Sequence, residues 1–218
     1  LDGNYPVGTG NVALGNTALD DGSLSGAYNT AIGNLALTAN TSGTANTAMG
    51  ADVMASNTTG GYNSAYGRNA LGTNTTGSNN TAVGYNSLVL GTTGGSNTAV
   101  GYSALFNNTT ADNNTAVGFQ AGYSNTTGQY STMVGFDAGR LNTTGQITVV
   151  GAQSFESNST GTSNAGLGVN AGFSNTTGSY NTALGESSLF SNTTASYNTS
   201  VGYQSSYSNT TGTGNTSL

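Results

Sequence analysis

One short string, Asn-Thr-Ala-Val-Gly, returns with small variations along the whole chain and places its glycine at Gly33, Gly50, Gly67, Gly84, Gly101, Gly118, Gly135, Gly151, Gly168, Gly185 and Gly202. Every step is 17 residues except the 16 from Gly135 to Gly151. An earlier copy ends at Gly15, 18 residues ahead of Gly33, and a last one reaches only Asn215-Thr216-Ser217-Leu218. A second landmark, Asn-Thr-Thr-Gly and its variants, keeps the same beat. Its asparagine falls at Asn40, Asn57, Asn74, Asn108, Asn125, Asn142, Asn158, Asn175, Asn192 and Asn209, with Gly91 standing in for one. One residue is gained near Asp20 and one lost near Gln146. Such an array leaves no room for a separate catalytic domain.

The period selects the architecture. Helical repeats need about 33 residues to hold two helices and a turn, and Gly, Asn and Thr are poor helix formers. Seventeen residues suit one coil of a β-solenoid. The fold expected is therefore all-β, a parallel β-solenoid (β-roll or β-helix) of about twelve 17-residue coils over residues 11–218, preceded by an irregular segment at 1–10. Within each coil Thr-Ala-Val-Gly-Tyr reads as a first strand. The segment around Ala104-Leu105-Phe106 reads as a second, and Asn-Thr-Thr-Gly as the closing turn. Proline, which would remove a ladder hydrogen bond, occurs once, at Pro6. Twelve coils at about 4.8 Å give a rod on the order of 60 Å.

Stacked coils turn each repeat position into a column. The residue before the motif glycine forms an aliphatic stripe that includes Val83, Val100, Val117, Val134, Val150, Leu167, Leu184 and Val201. Four residues after the glycine stands a second stripe, Leu37, Met54, Leu71, Leu88, Leu105, Phe155 and Leu189, interrupted by Gly122, Gly139, Gly172 and Ser206. A third column is small: Ala31, Ala48, Ala65, Ala82, Ala99, Ala116 and Ala183. Two arrangements satisfy this alternation. Either the valine face points into the coil, or a thin Ala/Gly interior leaves that face to pack against another chain. Tyr85, Tyr102, Phe119, Phe136 and Tyr203 share the valine face, and so long a stripe is expected to be buried in part between chains.

The motif asparagines, Asn29, Asn46, Asn63, Asn80, Asn97, Asn114, Asn164, Asn181 and Asn198, are expected to form a buried amide ladder that satisfies turn backbone. The tetrad asparagines admit two readings. Each, from Asn40 to Asn209, opens an N-glycosylation sequon, joined by Asn79, Asn113 and Asn198. A turn built from Asn, Thr and Gly also produces sequons by composition alone.

Composition then closes off whole classes of function. Gly, Thr, Asn and Ser supply 128 of 218 residues, only 10 are charged, and the net charge is −6. Arg68 and Arg140 are the sole cations, and there is no Lys, His, Cys or Trp. Zinc and copper sites of the usual kind and Ser-His-Asp or Cys-His catalysis are thereby excluded. A nucleic-acid backbone would find almost nothing to neutralise it. The carboxylates Asp20, Asp21, Asp52, Asp112, Asp137, Glu156 and Glu186 are scattered over the repeat and build no continuous column, so they form no repeated calcium site. Asp20-Asp21 reads as a solvated pair, and no metal, cofactor or catalytic residue is assigned. No apolar run of about 18 residues could span a bilayer. A chain without thiols suits an oxidising compartment, and one that opens at Leu1 suits a processed product or part of a longer one.

The unit NTAVGFQAGYSNTTGQY, read from Asn114, resembles the N-S-V-A-I-G repeats of trimeric autotransporter adhesin heads. It is still more similar to the N-T-A-V-G-Y/N-T-T-G arrays of phage tail fibres and of large microbial surface proteins. The likeness covers the chain from about Asn11 to Leu218. It implies a β-roll stalk or head, although the adhesin roll has a shorter repeat. The expected function is a structural, self-associating extracellular fibre or adhesin segment. Its expected partners are further copies of itself, stacked end to end or side by side, and glycans or a host-cell surface. A phage tail-fibre shaft is the alternative, and an ice-binding protein a third reading because of the strand threonines Thr30, Thr47, Thr81, Thr98, Thr115 and Thr132.

Overall fold

The computed structural model describes residues 8–218, so most of the irregular segment expected at 1–10 lies outside the described residues. The chain divides into two compact units, Leu1–Asp112 and Asn113–Leu218. Unit 1 carries β1 (Val12–Leu14), β2 (Thr30–Ile32), β3 (Thr47–Met49), β4 (Ser64–Tyr66), β5 (Thr81–Val83) and β6 (Thr98–Val100). Unit 2 carries β7 (Thr115–Val117), β8 (Thr132–Val134), β9 (Ile147–Val150), β10 (Asn164–Leu167), β11 (Thr182–Leu184), β12 (Thr199–Val201) and β13 (Thr216–Ser217). Within each unit the strands pair in sequence order, all parallel, with like residues opposite one another. Thr81, Ala82 and Val83 face Thr98, Ala99 and Val100, and Thr182, Ala183 and Leu184 face Thr199, Ser200 and Val201. The chain is a parallel β-solenoid of about twelve coils spaced about 17 residues apart, with no helix among the described residues.

Each coil contains one strand, not two. The expected second strand around Ala104-Leu105-Phe106 is irregular. The reason lies in its burial: Ser103, Ala104 and Leu105 are consecutive and all buried, whereas a strand sends neighbours to opposite faces. The backbone achieves the successive inward turns by entering the left-handed region at Ser103 (φ 53°) and Leu105 (φ 50°). It still bonds to the preceding coil in both senses, with Ser103 N–H donating to Tyr85 O at 3.0 Å and Leu88 N–H to Ala104 O at 2.9 Å. A left-handed leucine costs about 1–2 kcal/mol. That is comparable with the ~1.5–3 kcal/mol gained by burying its side chain, so the conformation persists only inside the stack.

The motif glycine is required for a different reason. At Gly33 the backbone has φ +137°, and a Cβ would lie 2.1 Å from the carbonyl oxygen of Gly50 in the next coil. Glycine at this corner lets successive coils touch backbone to backbone.

The core of unit 1 is built from apolar columns, among them Ala36, Val53, Ala70 and Ala104. Ala31, Ala48, Ala65, Ala82 and Ala99 project inward from the strands, and Leu37, Met54, Leu71, Leu88 and Leu105 fill the space opposite. Unit 2 redistributes the same volume. Where the large column falls to Gly139, the strand centres enlarge to Met133 and Val149, and the positions a Cβ would take at Gly139 lie 2.9 Å from Met133 Sδ and 2.8 Å from Ile147 Cδ1. Phe155 fills the gap left by Gly166 and Gly172 and is buried.

The coil shortened near Gln146 loses its left-handed corner. Tyr130 (φ 58°) and Ser163 (φ 57°) hold that corner in the flanking coils, and Gln146 is not left-handed. Ile147 instead joins the strand in the register of Asn164, lengthening β9 to four residues.

Candidate functional site

Two features could carry function: the outward face of the strands and the amide ladders beneath the turns. The burial pattern decides between the two arrangements left open by the sequence. The strand alanines Ala31, Ala48, Ala65, Ala82, Ala99, Ala116 and Ala183 are fully buried, while Val83 is 36% exposed, Val150 37% and Leu167 55%. Val100, Val117, Val134, Leu184 and Val201 are half-buried on the same side. The interior is the thin Ala/Leu one, and the aliphatic column points outward beside the strand threonines. Across the motif glycine the aromatic column continues this surface. Tyr85 and Tyr102 stack with ring centroids 5.4 Å apart in unit 1, and Phe119 and Phe136 at 5.2 Å in unit 2. Their ring faces cover one another along the stack and only edges and outer faces meet solvent. Neither the Thr nor the Val column contains a charged residue in either unit.

The amides form two parallel ladders. In the first, Asn63 N–H donates to Asn46 Oδ1 at 3.0 Å, and Asn63 Nδ2 reaches Gly77 O at 2.9 Å. This is the buried ladder expected of the motif asparagines. In the second, tetrad Asn57 Nδ2 donates to Asn40 Oδ1 at 2.9 Å and to Gly60 O at 3.0 Å. Unit 2 repeats the pattern, with Asn175 Nδ2 on Asn158 Oδ1 at 2.7 Å and on Gly178 O at 2.9 Å. The first tetrad threonine adds a third bridge: Thr58 Oγ1 donates to Thr75 O at 3.0 Å.

This geometry corrects the glycan reading of the tetrad. Asn40, Asn57, Asn74, Asn108, Asn125, Asn142, Asn158, Asn175 and Asn192 are buried. Where the ladder is traced, the Nδ2 that a sugar would occupy is already donating inside the coil. Asn209 is only half-buried, but its Nδ2 also holds Asn192 Oδ1 at 3.2 Å and Gly212 O at 3.0 Å. A glycan on these atoms is incompatible with this fold. Of the neighbouring sequons, Asn198 is buried and Asn79 and Asn113 are exposed. Gly91 leaves a gap in the ladder: Asn74 Oδ1 is buried without a partner because the next coil has no amide to donate.

Charge is local. In unit 1 Arg68 lies 3.6 Å from Asp52 at the surface. In unit 2 Arg140 Nε and Nη2 both donate to Glu156 Oε1, at 3.1 and 3.0 Å, while Gln153 Nε2 holds Oε2 at 2.9 Å. Arg140 and Glu156 occupy the same repeat position in successive coils, so column reading could have paired them. Burial holds the Asp137 carboxyl above its ordinary value, with Arg140 pulling it down and Glu156 pushing it up. Asp21 is held below its ordinary value by the Ser23 hydroxyl and amide, which both donate to it. Among the described residues no group of three or more His, Cys, Asp or Glu could hold a metal, and no helix is long and apolar enough to cross a membrane. A shallow groove of about 300 Å³ opens at the shortened coil, between Tyr130, Gln146, Ser163 and Ala165. Its lining offers no titratable pair. No known protein family, curated protein or solved structure matches the chain.

Proposed function

We propose that this chain is a structural segment of an extracellular fibre, filament or adhesin that associates with copies of itself. The observation that supports this reading is where its polar groups are used. Backbone ladders, two asparagine ladders and the Thr58-type bridges all run from one coil to the next. An array cohesive along its axis resists extension and proteolysis, which is what a stalk requires. The absence of thiols from the sequence suits the oxidising exterior of a cell or virion. Contact with host-cell surfaces belongs to the same reading. Glycans, in this reading, attach at exposed positions such as Asn79 and Asn113 rather than in the tetrad ladder.

Electron microscopy of the protein, paired with limited proteolysis, tests it. Elongated assemblies whose coils resist a nonspecific protease are expected. Dispersed single particles at all concentrations, cut throughout the array, would falsify it.

A further inference from the structure

We infer that the outward strand face, made of the Thr and Val columns with the aromatic column beside them, is a lateral docking surface for a second copy of this chain. The inference deepens the self-associating reading and rests on it. A contiguous face of a few hundred Å² is of the size at which surface patches often serve function. In unit 1 it comprises Val83, Val100, Tyr85 and Tyr102; in unit 2 it comprises Val117, Val134, Phe119 and Phe136.

The occupant follows from charge and area. The Thr and Val columns carry no charge, so they offer nothing to a basic or acidic partner. Two copies can meet there without burying an unpaired ion, even though each chain is net −6. The nearest charges, Arg68 and Glu186, lie in the aromatic column at coils where no aromatic stands. The face is also self-complementary: threonine hydroxyls can bond across to threonine hydroxyls while valines and rings exclude water, as an isologous contact requires. Six strands at about 4.8 Å and a width of about five residues give roughly 450 Å² of flat surface per unit. A standard interface takes about 800 Å² from each partner, so the face of one unit supports a small, reversible contact of the kind a concentration series reads.

The test uses the full chain and two quadruple variants. Val83→Lys, Val100→Lys, Val117→Lys and Val134→Lys place charge on the strand face. Thr76→Lys, Thr93→Lys, Thr127→Lys and Thr144→Lys place the same charge on exposed turn threonines. Sedimentation across a concentration series should show side-by-side association of the parent, weakened about ten-fold or more by the valine set and preserved in the turn set. Circular dichroism and melting confirm that both sets fold. If the lysine set does not fold, Val→Thr at the same four positions keeps the strand propensity and should weaken association in the same direction. Parent-like association of a folded valine variant, equal loss in the turn set, or a strictly monomeric parent each overturns the inference. The two readings fail separately. Filaments one chain wide that survive the valine substitutions sink the docking surface and spare the fibre. Lateral dimers that never elongate do the reverse.

Discussion

Unit 1 and the middle of unit 2 fill their cores with different residues. In unit 1 the inner strand position is alanine at Ala31, Ala48, Ala65, Ala82 and Ala99, and the large position opposite is leucine or methionine. In unit 2 these roles migrate: Met133 and Val149 take the strand centres, Gly139 and Gly172 vacate the large column, and Phe155 reaches into the space beside Gly166. The constraint enforced by the fold is therefore the volume of each layer, since close-packed interiors tolerate neither voids nor overlap. The identity of a residue within its column is free once a neighbour compensates. The ladders differ as well. In unit 1 the tetrad ladder is broken at Gly91, where no amide stands, whereas in unit 2 it runs from Asn142 through Asn158, Asn175 and Asn192 without reaching the buried Oδ1 of Asn125.

The most severe way to break this comparison is to write unit 1's residue into unit 2. Leucine is accepted in the left-handed conformation at Leu189 (φ 51°), so the φ of +61° at Gly172 is not itself the obstacle. The obstacle is Phe155, whose ring lies 2.5 Å from where the Cβ would be. Gly172→Leu should destabilise by about 3 kcal/mol or more. Adding Phe155→Leu should recover much of that loss, a strong coupling between contacting residues. Denaturant titration of the two singles and the double reads the coupling, and additive effects would show that layer volume is not the constraint.

A smaller effect of opposite sign is expected at the break in unit 1. Gly91 does not have a left-handed φ, and a Cβ there would meet only Leu88 Cγ, Leu88 O and Asn108 O at 3.3–3.4 Å. Gly91→Asn gives Asn74 Oδ1 its missing donor and should raise stability by about 1 kcal/mol. A melting temperature at or below the parent's would mean that the gap is needed for packing against Leu88.

The smallest effect concerns the charged cluster that unit 1 lacks. Because burial raises the Asp137 carboxyl above 3.8, the folded chain binds its proton more tightly than the unfolded chain. Ionisation then costs stability as pH rises from that value through the raised one. Asp137→Asn removes the cost, so the variant should melt above the parent at neutral pH by a margin that narrows on acidification. A margin independent of pH would assign the gain to the preference of asparagine for the left-handed backbone (φ 54°) instead.

Much of this was written in the repeat. The period, the parallel in-register stacking and the motif ladder, interrupted only where Ser131 and Ile147 replace asparagine, all follow from columns that a reader can align by hand. The direction of the strand face did not, because both of its sides are apolar. Alternation places Ala82 and Val83 on opposite sides without saying which is inside, and the width needed to seat Leu88 and Leu105 settles it. The sequons misled for a related reason: an amide that bridges coils and an amide that carries a sugar are written with the same Asn-Thr-Thr. The false second strand had a visible warning in its adjacent small and large apolar residues, Ala104 and Leu105, which period-2 alternation cannot bury together.

The ladders also give the molecule a direction. Every donation from one tetrad asparagine to another runs toward the lower number, from Asn57 to Asn40, Asn74 to Asn57, Asn158 to Asn142, Asn175 to Asn158 and Asn192 to Asn175. The backbone N–H groups of the motif residues Asn46, Asn63, Asn80, Asn181 and Asn198 donate to the preceding asparagine Oδ1 in the same sense. Amide dipoles aligned head to tail add, as peptide dipoles do along a helix. Within each unit the tetrad amide ladder thus has a direction of its own, while threonine bridges such as Thr58 to Thr75 and Thr176 to Thr193 run the other way. Any coil that extends the ladder must arrive with the same polarity, and a reversed one would meet it carbonyl to carbonyl.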